Sequence, residues 1–158
     1  NKNCLLKTLQ KFKGLKYRQE IIFHSKKLTI INDSKATTFS SSVSLLKSLS
    51  NVYWIVGGQA KKGDKLLLSK KNSKNIKAYI FGNNKDFFID RLKKFMKYEF
   101  FLDLKSLIKK LSLEIKVDKN TAHKTILFSP SAASFDTFKN FEERGKYFNK
   151  LIKKYINA

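Results

Sequence analysis

The chain predicts an α/β domain built on a mostly parallel sheet with helices on both faces. Segments of two-residue period alternate with segments of about 3.6-residue period along the 158 residues. Two stretches, VYWIV at 52–56 and IKAYIF at 76–81, are largely apolar on both faces, as strands covered by helices above and below must be. Each stops at glycine, the first at Gly57-Gly58 and the second at Gly82. A chain of this length forms one domain that buries a core without disulfides or metal.

In chain order, Leu5, Leu6 and Leu9 predict the end of a helix, closed by the Lys13-Gly14 turn. Residues 20–23 and 28–32 read as two strands separated by His24-Ser25-Lys26-Lys27. Thr37 or Thr38 can cap a helix that carries Phe39, Val43, Leu46 and Leu49 on one side. After the strands at 52–56 and 76–81, Phe88, Leu92 and Phe95 mark a helix and 98–102 a short strand. Leu104, Leu107, Ile108 and Leu111 mark the next helix, with Asp103 as N-cap. The last strand, 125–128, is stopped by Pro130, the chain's single proline. In the final helix Ser134 or Asp136 is the expected cap, and Phe141, Gly145, Phe148 and Ile152 the buried stripe. Glu142 and Glu143 early, with Lys150, Lys153 and Lys154 late, oppose the helix dipole at both ends.

Composition narrows the function. Cys4 is the single cysteine, and His24 and His123 stand far apart, so no disulfide or metal motif is written in the sequence. No apolar run reaches the roughly 18 residues of a membrane span. A cytoplasmic protein without membrane contact is the expectation. The net charge of +22 invites a nucleic-acid reading. Its carriers argue otherwise: 31 of the 34 cations are lysine, spread over nearly every segment, whereas base readout favours the planar fork of arginine. A solvated lysine coat without specific nucleic-acid binding is the preferred reading. A non-catalytic α/β module binding nucleic acid or acidic partners through its lysine-rich surface is the alternative.

Three loops follow strands, where ligands of open α/β sheets bind. INDSKATT (31–38) gathers Asp33, Lys35 and Thr37 at a strand end, beyond what an ordinary turn and cap require. GGQAKKGD (57–64) pairs glycines that allow close backbone approach with Lys61, which can reach an anion; it is neither a phosphate loop nor a dinucleotide fingerprint. SPSAASFDTFKNFEERG (129–145) packs small residues at a strand-to-helix junction, offers the Ser134 hydroxyl, and spaces phenylalanines at 135, 138 and 141. Phe138 and Phe141 have a second reading, as residues facing the sheet. A nucleophilic role for Ser134 has no support, because no histidine lies in a triad pattern.

FKGLKYRQE, INDSKATT, GGQAKKGD and SPSAASFDTFKNFEERG, in this order, resemble the C-terminal domain of the Mur ligases, from about Phe12 to the chain's end. The closest resemblance is to the branch that adds D-glutamate to UDP-N-acetylmuramoyl-L-alanine in peptidoglycan synthesis. It implies a Rossmann-like fold and an ATP- and Mg-dependent amide-bond ligase. In that family a central domain converts the substrate carboxylate to an acyl phosphate, and the D-glutamate amine attacks it. The resemblance implies that Thr37, Lys61, Ser134, Phe135 and Phe141 bind D-glutamate and that Arg18 and Asp33 lie on the nucleotide side. It makes residues 1–13 the tail of a preceding ATPase domain and 14–158 the amino-acid-binding domain, inactive without the rest of the ligase chain. Two positions depart from the family: Lys16-Tyr17 stands where a proline-histidine pair is usual, and Phe135 where leucine is common. No Gly-Lys-Ser/Thr phosphate loop occurs in these residues.

Overall fold

The computed structural model describes residues 14–156, so the expected helix end at Leu5, Leu6 and Leu9 and the tail at 1–13 lie outside the described residues. Among the described residues six strands form one sheet: β1 (Glu20–His24), β2 (Leu28–Asn32), β3 (Val52–Gly57), β4 (Ile76–Phe81), β5 (Lys97–Phe101) and β6 (Lys124–Phe128). Five helices connect or cover them: α1 (Phe39–Ser48), α2 (Lys70–Ser73), α3 (Lys85–Leu92), α4 (Leu104–Val117) and α5 (Phe141–Tyr155). The spatial order is β1-β2-β6-β3-β4-β5. All neighbours are parallel except β1, which pairs antiparallel with β2 through a tight hairpin in which the Ser25 amide donates to Leu28 O at 2.8 Å. The result is a Rossmann-like α/β domain.

Strand alternation divides the core in two. Trp54, Val56, Ile80 and Leu127 face α1 and α3, where Phe39 meets Trp54 edge-on at 6.2 Å and Phe88 at 5.9 Å. Ile55, Phe81, Ile126 and Phe128 face α4 and α5, and Phe128 stacks on Phe148 at 4.2 Å. Burial of both faces explains the continuous apolar runs in the central strands. Because β6 enters last, between β2 and β3, the sheet has its switch point there. The carboxyl ends of β2, β6 and β3 bring the loops after them to one rim.

Several expectations need correction. The final helix begins at Phe141, and its cap is neither Ser134 nor Asp136. Asn140 accepts the Glu143 amide at 2.8 Å, and the Glu143 carboxylate accepts the Lys139 amide at 2.7 Å, a reciprocal cap. Ser134 instead closes a turn, its carbonyl accepting the amides of Thr137 and Phe138. Thr38 holds the N-cap position of α1, but its hydroxyl turns to Ser40 and Ser41, and the Phe39 amide is taken by Asp64 from the next loop at 2.8 Å. Phe95 lies past the end of α3, and the single-turn helix α2 has no apolar period to announce it. Phe138 does not face the sheet: it packs on Tyr147 of α5 at 5.6 Å. Phe141, at the first turn of α5, is only half-buried.

Candidate functional site

The three loops are bonded to one another. Gln59 and Ala133 form a two-bond antiparallel bridge, at 2.9 and 3.1 Å, and the Gly57 amide donates to Pro130 O at 3.0 Å; these join the second loop to the third. The first loop meets the third through Asp33, whose Oδ2 accepts the Ser129 hydroxyl at 2.8 Å. Ser42 of α1 lies 2.6 Å from both the Ser129 and the Ser131 hydroxyls. All of these serines are buried. Close approach needs glycine at Gly58, where a Cβ would fall 2.6 Å from Ala133 O. Ser131 takes φ 55°, which costs a residue with a side chain about 1 kcal/mol.

Asp33 is the polar centre of the first loop. Its Oδ1 accepts the Gln19 amide at 3.1 Å, its own amide donates to Phe128 O at 2.7 Å, and its carbonyl accepts the Ala36 amide at 2.9 Å. Burial raises its carboxyl above the usual range, against the lowering pull of Ser129, Gln19 and the Arg18 charge. Asp33, Lys35 and Ser41 line a cavity of about 430 Å³ with exposed Arg18. Arg18 and Asp33, the two residues assigned to the nucleotide side, are therefore together.

The other assigned residues lie on the open rim outside that cavity. Thr37 is half-buried before α1, Lys61 is exposed in the turn its carbonyl closes with the Asp64 amide at 3.1 Å, and Ser134 is buried in the third loop. Phe135 is 71% exposed, so it stands at the rim and walls no closed pocket. Phe141 comes to the first loop: the Lys35 ammonium sits 3.9 Å over its ring, and its carbonyl accepts the Ser34 hydroxyl at 2.8 Å. The sequence reading missed Arg144 and Asn32 as parts of this rim. Asn32, fully buried, donates to Gly145 O at 2.9 Å and to Asn149 Oδ1 at 2.7 Å. Tyr17, where the usual histidine is absent, donates its amide to Glu20 at 2.9 Å, and a Cβ on Gly145 would meet its ring at 2.4 Å.

With this geometry in view, comparison with known proteins is specific. The chain is 36% identical over 148 residues to the UDP-N-acetylmuramoylalanine–D-glutamate ligase of Francisella philomiragia, covering 91% of the chain and 34% of that protein. It is 35% identical over 152 residues to the ligase of the same name from Wolbachia of Brugia malayi, covering 96% and 30%. The Rickettsia felis ligase is 36% identical over 151 residues, covering 96% and 33%. The chain is related by sequence to the Mur ligases. It spans about a third of the length of these curated relatives. No protein-family model matches it.

The carboxyl-end rim contrasts with the opposite end of the sheet. There a cavity of about 620 Å³ opens among the amino ends of β3, β4 and β6, with Lys74, Lys94 and Lys97 at its walls. Nearby, Lys77 pairs with Glu99 at 2.5 Å and with Glu114 at 3.1 Å, and the Tyr79 hydroxyl donates to Glu114. Burial and the neighbouring Asp118 carboxylate push the Tyr53 phenol up to about 12. Among the described residues no group of three or more His, Cys, Asp or Glu side chains gathers to hold a metal, and no helix is long and apolar enough to cross a membrane.

Proposed function

We propose that this chain is the amino-acid-binding C-terminal domain of a cytoplasmic, ATP-dependent ligase that joins D-glutamate to UDP-N-acetylmuramoyl-L-alanine in peptidoglycan synthesis. The convergence of three hydrogen-bonded loops at one rim, in a chain related to D-glutamate ligases, carries this reading. Lys61 supplies a mobile cation for a carboxylate of the amino acid, and the hydroxyls of Thr37 and Ser134 orient it by directional hydrogen bonds. Phe135 and Phe141 offer apolar surface that excludes water once the ligand is held.

The cavity beside Arg18 falls in the size range of small-molecule sites and presents a cation and a carboxylate acceptor, which fits part of a nucleotide. Bound ATP with Mg supplies the activation of the acceptor carboxylate; the residues that grip its phosphates and metal are assigned to the rest of the ligase chain. The work of this domain is placement. Holding the D-glutamate amine beside the activated carboxyl lowers the barrier more than an acid or base on this rim would. Lys61→Ala in the full-length ligase is expected to lower kcat/KM for D-glutamate roughly 100-fold, the loss of one charge-assisted contact of about 2.7 kcal/mol, with ATP binding intact. Unchanged turnover in that variant overturns the assignment.

The lysines around the amino-end cavity favour a second reading, a non-catalytic module for nucleic acid or acidic partners. Salt-dependent retention on DNA without any response to D-glutamate would select it.

A further inference from the structure

Among the described residues Arg144 is the charged side chain with no exposure at all. It projects inward from the first turns of α5, and its bonds reach two of the three loops. Nε donates to Ser34 Oγ at 3.1 Å, and Nη2 donates to Ser34 O at 2.8 Å and to Ala132 O at 2.9 Å. Its third nitrogen, Nη1, is buried without a partner and lies against the second loop, 3.0 Å from the place a Cβ on Gly58 would occupy. A second unpartnered atom lies close to the neighbouring glycine. Asp136 Oδ2 is buried without a partner, 3.3 Å from the corresponding point on Gly82, and the Gly58 nitrogen is 3.9 Å from that same point. A buried cation and a buried carboxylate oxygen therefore flank the meeting of two strand-end glycines.

A buried charge with incomplete bonding is costly, so its retention calls for a reason beyond packing. The contacts supply one. Ser34, Gly58 and Ala132 belong one to each loop, and each stands two or three residues before a candidate ligand group: Thr37, Lys61 and Ser134. We propose that Arg144 is the positioning residue of the rim, fixing the three loops at those points so that Thr37, Lys61 and Ser134 are set relative to one another, with Asp136 as its counter-charge. The planar fork suits the task, because one lysine ammonium cannot span Ser34 and Ala132 while also reaching Gly58. Burial pushes the guanidinium down to about 10 against the pull of Asp136, so it remains a cation at neutral pH. The ligand side of the proposal rests on the D-glutamate reading; the loop side does not.

The experiment uses the full-length ligase, as wild type, Arg144→Lys and Ser34→Ala. Amide hydrogen exchange is read across 34–38, 58–64 and 129–137, together with KM and kcat for each substrate. In Arg144→Lys, exchange is expected to rise in all three loops while the 104–117 helix stays protected. KM for D-glutamate should rise about tenfold with KM for ATP within about twofold, because misplaced binding groups weaken one ligand and spare the other. Ser34→Ala, which removes the hydroxyl that accepts from Nε and keeps the guanidinium charge, should raise exchange in the second and third loops as well as the first if Arg144→Lys does not fold. Faster exchange in one loop alone, or faster exchange in all three with an unchanged KM for D-glutamate, overturns the proposal. A wild-type enzyme that ignores D-glutamate while its Arg144→Lys variant loosens all three loops sinks the functional reading and leaves Arg144 as the loop organiser.

Discussion

At the carboxyl rim Asp33 is buried and bonded to Ser129 and the Gln19 amide, whereas on the α4 side of the amino half Glu114 remains part-exposed between Lys77 and Tyr79. The two carboxylates are displaced in opposite directions. Burial raises Asp33 despite its hydrogen bonds. Burial also acts to raise Glu114, but the Tyr79 hydroxyl and the Lys77 ammonium outweigh it and hold the carboxyl below its usual range. One end of the sheet thus keeps a carboxylate where the fold opposes its charge, and the other keeps one where the fold rewards it. A strained Ser131, glycines in close approach and an incompletely bonded Arg144 cluster at the first end. Stability alone does not call for that concentration.

Asp33→Ala tests the contrast most severely. Removing the acceptor strands the Gln19 amide and leaves the Ser129 hydroxyl with Ser42 alone, so a loss of about 3 kcal/mol in urea unfolding is expected. Ser42→Val should come next, at about 2 kcal/mol, because two buried hydroxyls lose their common partner. Glu114→Gln should cost about 1 kcal/mol or less, solvent weakening its pairs. A Glu114 variant that cost more than the Asp33 variant would erase the distinction between the two ends.

The smallest effect sharpens it through pH. The contribution of Glu114 is present above its unfolded value of 4.5 and is lost as pH falls through the lower native value. That of Asp33 is fully present below its unfolded 3.8 and is lost as pH rises through the raised native value. Unfolding measured from about pH 3 to about pH 7 should show Glu114→Gln losing part of the wild type's gain with rising pH, and Asp33→Asn losing part of its opposing decline. Carboxyl titration by NMR should place the two midpoints on opposite sides of their free values.

Much of this architecture is legible in the sequence. Strands such as 28–32, 52–56 and 76–81 announce themselves because both faces are covered, and Asp103 caps α4 as its position implies, accepting the Ser106 amide at 2.7 Å. The α5 cap was displaced by six residues from Ser134 because small and polar residues fit a turn as well as a helix start, and only the Asn140–Glu143 reciprocity distinguishes them. The gathering of Arg18 with Asp33 followed from motif resemblance. Arg144 did not, since a charged residue in a helix reads as surface unless its depth is known. Its signal was the neighbouring Gly145, which lets Tyr17 pack closely on α5 and marks that side of the helix as covered.

The reversed edge strand has a mechanical corollary. Since β1 runs against β2, with Glu20 opposite Asn32, the polypeptide arrives at the sheet from the end where the three joined loops stand. Tyr17 O receives the Lys35 amide at 3.0 Å, and the Gln19 amide reaches the Asp33 carboxylate directly. A pull on residues 14–19 would therefore be transmitted as torque on the first loop within two hydrogen bonds, making the incoming backbone a short lever whose fulcrum is Asp33.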